Sequence, residues 1–160
     1  MIKTLDMALQ RPLSFIMRIM DQNKTGTTNV SPMQTQENKK SIMLLDDDPV
    51  QLQYLADILQ GDGFQIMAYS DAQEALSSIG QRTKIDLVIT DLQIPRMDGM
   101  QFVEKLRKVR PGMPIIMLTA HASVDTFFKS FGLGVSEFIT KPINKAELRK
   151  IVSVVINKDG

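Results

Sequence analysis

The chain contains no cysteine, no tryptophan and only one histidine. Without cysteine there is no disulfide framework and no thiolate metal centre, and an oxidising compartment is neither required nor excluded. No charge of either sign dominates. The formal net charge of +1 gives no global argument for nucleic acid or a membrane surface as a partner. No run is long and apolar enough to span a bilayer. The best apolar stretch near the start, Leu13 to Met20, contains Arg18, and no small-residue cleavage site follows it. It does not read as a signal peptide. The expectation is a cytoplasmic protein with no integral membrane segment and no nucleic-acid partner.

What is present is enough for one domain. With 160 residues, 43% of them apolar, the chain can build one proper core but not two. Residues 1–40 carry six Lys/Arg against three Asp/Glu, whereas the remainder is slightly acidic. Residues 21–40 are polar and offer too little apolar surface to offset the entropy of ordering them, so they read as a flexible linker. Ile2, Leu5, Leu9, Leu13, Ile16 and Met20 recur at helical spacing, interrupted by Pro12. They read as a frayed extension rather than a docking helix. The expected organisation is an N-terminal extension over 1–40 and a folded domain over 41–160.

From Ser41 the pattern becomes regular. Short apolar runs occur at Ile42–Leu45, Phe64–Tyr69, Ile85–Thr90, Ile115–Leu118 and Glu137–Thr140, with lengths that suit strands. Helical stretches separate them. The first opens at Asp48-Pro49, presents Val50, Tyr54, Leu55, Ile58 and Leu59, and stops at Gly61/Gly63. The second runs from Asp71 and Glu74 to Gly80. The third follows Asp98-Gly99, carries Met100, Val103 and Leu106, and ends before Pro111. The fourth carries Val124, Phe127, Phe128 and Phe131, of which Phe127 and Phe131 share a face expected to be core. The last opens at Asn144 and carries Leu148, Ile151 and Val155. Five β-α repeats imply an α/β fold: a doubly wound, five-stranded parallel sheet with five helices on its two faces. Ligands of such sheets bind at the carboxyl ends of the strands.

Those ends carry chemistry. Strand one ends in Asp46, Asp47 and Asp48, strand three in Asp91, strand four in Thr119-Ala120, and strand five in Lys141-Pro142. Alone, each residue has an ordinary reading: a helix cap for Asp48, a strand-end hydroxyl for Thr119, a solvated surface lysine for Lys141. Together they gather acids, a hydroxyl and an ammonium on one rim. Carboxylates crowded in one cleft call for a hard divalent cation, and Mg²⁺ suits oxygen ligands. One carboxylate can act as a nucleophile towards phosphorus. Lys141 and the Thr119 hydroxyl can then neutralise and hydrogen-bond the product's oxygens.

The stretches IMLLDDDP (42–49), DLVITDLQIPRMDGMQF (86–102), PIIMLTAHAS (114–123) and EFITKP (137–142) resemble the response-regulator receiver domain of two-component signalling, the CheY-like family. The resemblance implies a flavodoxin-like strand order 2-1-3-4-5. It makes Asp91 the phosphoacceptor, with Asp46, Asp47, Asp91 and the backbone carbonyl of Gln93 holding Mg²⁺. It makes Thr119 the switch hydroxyl, Lys141 the phosphate-binding lysine and Pro142 a proline often cis in the family. Pro95, Asp98 and Gly99 match the loop after the phosphoacceptor. Phe138 stands where the family often has tyrosine and would act with Thr119 in the conformational switch. Gln93 and His121, two residues beyond the phosphoacceptor and the switch threonine, would flank the attacking water and tune the lifetime of the phosphoryl group. The implied partners are a sensor histidine kinase or histidine phosphotransfer protein and an unspecified downstream protein. The implied role is signalling rather than substrate turnover, through the fourth-helix, fifth-strand, fifth-helix face; with Gly160 just past the last helix, a stand-alone receiver is the expectation.

Two rivals are weaker. A haloacid-dehalogenase-like phosphatase also uses an aspartate nucleophile, Mg²⁺ and a lysine, and Asp46-Asp47-Asp48 contains its DxD. It lacks a third-strand aspartate followed by PxxDG, which Asp91 and Pro95–Gly99 supply here. A binding module without phosphorylation would have no need of Asp47, Asp91 and Lys141 together.

Overall fold

The computed structural model describes residues 39–80, 84–121 and 123–158. The extension expected over 1–40 falls almost wholly outside the described residues. The elements alternate strictly: β1 (Ser41–Leu45), α1 (Pro49–Gly61), β2 (Gln65–Tyr69), α2 (Ala72–Ile79), β3 (Leu87–Asp91), α3 (Gly99–Val109), β4 (Ile115–Thr119), α4 (Val124–Gly132), β5 (Glu137–Thr140) and α5 (Lys145–Asn157). The five strands form one parallel sheet in the order β2-β1-β3-β4-β5. That is the expected order. Among the described residues no helix is long and apolar enough to cross a membrane.

Each of these five helices starts on a side-chain cap. Asp48, Asp71, Asp98, Ser123 and Asn144 each stand in extended backbone and accept first-turn amide hydrogens. Such a cap contributes about 1 kcal/mol. Past the end of α1, Gly63 turns the chain with a φ of +91°, a conformation glycine adopts without penalty.

The sheet is sandwiched between two apolar layers. One packs Ile42, Leu44, Leu87, Ile89, Ile116 and Leu118 against α1 and α5. The other packs Met43, Leu45, Val88, Ile115 and Met117 against α2 and α3. The buried stripe of α1 includes Leu52, Leu55, Ala56 and Leu59, whereas Val50 and Tyr54, expected on that face, are exposed. The physical reason is helical geometry: at 100° per residue Val50 and Tyr54 fall beyond the edge of the arc that Leu52, Leu55, Ala56, Ile58 and Leu59 bury.

The larger correction concerns α4. Phe127 and Phe131, expected in the core, are 44% and 63% exposed, beside Phe128 at 69% and Val124 at 71%. No α4 residue belongs to either apolar layer. Its inward side is polar: Ser130 is fully buried, and its hydroxyl donates to the Thr126 carbonyl. The small Ser130 takes the buried position, and the bulky rings are left outside.

What fastens the end of α4 is a guanidinium. Arg107 of α3 donates to the carbonyl oxygens of Leu133 (2.8 Å), Met113 (2.6 Å) and Gly134 (2.6 Å). Burial lowers its pKa, and the carbonyl dipoles take the place of water. Arg107→Met is therefore expected to cost about 2 kcal/mol, since a hydrogen bond to a charged group contributes about 1.5–3 kcal/mol. That corresponds to a fall in melting temperature of about 5 °C or more. Arg107→Lys recovers only part of it, because an ammonium cannot span three diverging carbonyls. Thermal melts of both variants test this; equal stability of wild type and Arg107→Met would refute it.

Candidate functional site

The sheet register assembles the site. Leu45 pairs with Thr90, so Asp46 and Asp91 emerge side by side from the adjacent strands β1 and β3. Asp91 pairs with Leu118, which sets Thr119 one residue further out on β4. Thr119 pairs with Thr140, so Lys141 is the next residue on β5. The Lys141 backbone N–H donates to the Thr119 carbonyl at 2.8 Å and keeps the two strand ends together. The Lys141–Pro142 peptide is cis. Asp46 is tied inward by its own N–H, which donates to the Tyr69 carbonyl of β2.

The charged groups meet at this rim. Lys141 Nζ lies 2.5 Å from Asp91 Oδ2 and 3.0 Å from Asp46 Oδ2. Asp91 Oδ1 accepts the Gln93 backbone N–H at 3.0 Å, and Asp46 Oδ1 accepts that of Asp48 at 2.9 Å. Both oxygens of each carboxylate are thus oriented. Asp47, exposed at the mouth, brings a third carboxylate, and Asp46, Asp47 and Asp91 each offer one oxygen within 4.8 Å of the others. An all-oxygen set of this kind matches a hard divalent cation.

The electrostatics follow from burial and pairing. Desolvation raises the pKa of Asp46 above the ordinary carboxylate value, partly offset by the Asp48 amide and by Lys141. For Lys141, burial pulls the ammonium's pKa down. Hydrogen bonds to Asp91 and Asp46 and their charges outweigh that, and the net shift is upward. Lys141 is thus a firmly protonated cation held between two carboxylates.

An open pocket is lined by Asp46, Asp47, Asp48, Asp91, Gln93, Ile94, Pro95, Ala120 and Lys141. Thr119, nearly fully buried, is adjacent but turned away. Its hydroxyl donates to the His121 carbonyl at 2.9 Å and accepts the His121 N–H at 3.1 Å. The His121 and Gln93 side chains are exposed. Phe138 is half-buried, its ring 5.4 Å from that of Phe127. Asp48 serves as the cap of α1, as expected.

Two features had no sequence signal. Arg96, with φ of 68°, reaches out of the loop after β3 to Asp71, the cap of α2, at 2.6 Å. The Glu74 amide and then Arg96 lower the pKa of Asp71. Gly99 packs on the backbone of the site: a Cβ there would lie 2.3 Å from the Asp91 carbonyl oxygen. Asp98-Gly99 was legible as a turn, but that approach was not.

Comparison with known proteins agrees with this geometry. The family model of the response regulator receiver domain matches residues 42–153. The transcriptional regulatory protein GlrR of Escherichia coli is 40% identical over 119 residues, covering 74% of this chain and 27% of that protein. The probable transcriptional regulatory protein TcrX of Mycobacterium tuberculosis is 27% identical over 120 residues, covering 75% of this chain and 51% of that protein. The chain therefore matches only about a quarter to a half of the length of these relatives. Among solved structures, a CheY-like response regulator receiver domain protein from Methanospirillum hungatei superposes with a TM-score of 0.72 at 31% identity, covering 76% of this chain and 99% of that one. The chemotaxis protein CheY4 of Vibrio cholerae gives 0.70 at 28%, covering 73% and 98%.

Proposed function

Because the chain belongs to the response regulator receiver domain family, we propose that Asp91 accepts a phosphoryl group from the phosphohistidine of a sensor kinase or phosphotransfer protein, and that the chain thereby switches its protein contacts. The observation that carries this reading is the single ammonium of Lys141 set between Asp91 and Asp46, with Asp47 alongside. A boundary between extension and receiver domain near Lys40 is supported by β1 beginning at Ser41.

In the proposed transfer an Asp91 carboxylate oxygen attacks phosphorus. The new O–P bond forms as the N–P bond to the donor imidazole breaks, and the electron pair stays on that nitrogen. Phosphoryl transfer of this kind depends on positioning and on compensating charge. Lys141 and the Gln93 amide hold the Asp91 carboxylate in place beforehand. Lys141 then serves the phosphoryl oxygens. Asp46, Asp47, Asp91 and the Gln93 carbonyl would hold Mg²⁺, which when bound supplies positive charge to the phosphoryl oxygens. The Thr119 hydroxyl reaches the phosphoryl group only by giving up the His121 carbonyl. That exchange would move the loop after β4 and, through Phe127, the environment of Phe138. Hydrolysis returns the Asp91 carboxylate and releases phosphate, with Gln93 and His121 flanking the water.

The test is labelling with acetyl phosphate. Intact mass should show one added phosphate per chain, only with divalent cation present, and hydroxylamine should remove it as expected of an acyl phosphate. No incorporation under these conditions, or a hydroxylamine-stable adduct, would overturn the assignment.

A further inference from the structure

The loop after β3 is held in a conformation that its residues do not favour. Arg96 has a φ of 68°, in the left-handed region that glycine or asparagine takes more readily. A long side chain kept there points to something beyond the backbone that fixes it. What fixes it is Asp71, on the far side of β1: Arg96 Nη2 lies 2.6 Å from Asp71 Oδ2. The two oxygens of Asp71 divide the work. Oδ1 accepts the Gln73 and Glu74 amides, both at 2.9 Å, and caps α2, while Oδ2 takes the guanidinium. The Glu74 amide, and after it Arg96 and the Gln73 amide, hold the Asp71 carboxyl below its ordinary pKa.

Strands β2, β1 and β3 are neighbours in that order. The pair therefore ties together the loops on either side of β1, at whose end Asp46 and Asp47 emerge. Gln93, Ile94 and Pro95, the residues just before Arg96, line the site pocket. The foot of this loop is closed by the Gly99 N–H, which donates to the Leu92 carbonyl at 2.8 Å, and Ile94 is buried. The tip turns on itself, Met97 N–H to Pro95 carbonyl at 2.8 Å, and the ion pair carries that tip to the head of α2. We propose that Arg96 is a positioning residue: braced on Asp71, it keeps the loop closed so that Gln93 stays at the cation site formed with Asp46, Asp47 and Asp91. This deepens the reading of those four residues as a Mg²⁺ set and rests on it.

The strength of the brace limits its effect. The Arg96 side chain is 80% exposed, and an exposed ion pair can hand on no more than its own small free energy. That caps the change in Mg²⁺ affinity at about fivefold. It is less than the roughly 10–100-fold usual when a metal ligand loses the group that orients it. Two substitutions remove the pair and leave the fold alone. Asp71→Asn removes the charge and keeps the cap, because asparagine caps a helix as well as aspartate. Arg96→Asn removes the guanidinium and supplies a residue that suits left-handed backbone. Neither should lower the melting temperature, whereas both should loosen the loop.

Calorimetric titration of the full chain with Mg²⁺, and amide hydrogen exchange without it, test the brace. Each single variant should bind Mg²⁺ about threefold more weakly than wild type. The Gln93 amide, which donates to Asp91 Oδ1, should exchange faster by about the same factor. The double variant should be no worse than either single one, because the pair can be lost only once. Arg96→Lys should recover part of the loss. At about 1 M salt, which screens an exposed pair, wild type and variants should converge. Unchanged affinity and exchange in both single variants, losses that add in the double variant, or a difference that persists at high salt would each overturn the proposal. A wild type that binds no Mg²⁺ would overturn the cation site instead. Faster Gln93 exchange in the variants would then still support the brace, and unchanged exchange would overturn it as well.

Discussion

Asp91→Asn is expected to reduce phosphate incorporation from acetyl phosphate by at least about a hundredfold while leaving the fold intact. The amide has the shape of the carboxylate but no anionic oxygen to attack phosphorus. The fold should hold because Asp91 lies beside Asp46 and Asp47 with one ammonium between them. Removing one of three crowded negative charges relieves repulsion, and its charge is one of the influences that raise the Asp46 pKa. The melting temperature should therefore stay level or rise. Intact mass and a thermal melt on the same sample give both readings. Stoichiometric, hydroxylamine-labile label on Asp91→Asn would move the phosphoacceptor elsewhere.

The second large effect is expected at Gly99. An added Cβ would sit 2.3 Å from the Asp91 carbonyl oxygen and 2.9 Å from the Leu92 Cα, and both are backbone atoms. No side chain can swing aside. Either the end of β3 or the start of α3 must shift. Overpacking of this kind costs roughly 1–3 kcal/mol and occasionally more, and the absence of any flexible neighbour puts Gly99→Ala at the upper end. The melting temperature should fall by about 10 °C. Because the displaced atoms belong to Asp91, the labelling rate should fall too, by about a hundredfold for a shift near 1 Å. Gly80→Ala is the control: nothing lies within 4 Å of its Cβ, so it should stay within about 0.5 kcal/mol of wild type. A Gly99→Ala protein with wild-type melting and labelling would show that α3 yields easily.

How far the sequence could be read depended on which groups carry identity. Asp46, Asp91, Thr119 and Lys141 stand at the ends of apolar runs, and in a parallel sheet such ends converge, so the rim was legible before its distances were. The helix caps were legible for the same reason: Asp48 before Pro49, and Asp71 ahead of Glu74, announce themselves by residue type. The Arg107 contacts were not, because its partners are backbone carbonyls of Met113, Leu133 and Gly134, and a carbonyl looks alike in every residue. The left-handed backbone of Arg96 was hidden too, since glycine or asparagine is the usual sign of it. The Thr119 hydroxyl's choice of the His121 backbone over the site is a rotamer, which sequence does not encode. Periodicity on α4 located a phenylalanine face correctly and assigned it to the wrong side, because a helical period fixes an angle between residues and not the direction of the core.

The seating of α4 on Ser130 separates two demands that most surface helices must meet with the same residues. Since Val124, Phe128 and Phe131 contribute to neither apolar layer, their substitution should come at almost no cost to whether the chain folds. The outer surface of α4 can therefore change its chemistry while the rim formed by Asp46, Asp91 and Lys141 stays as it is, because the two share no packed side chain.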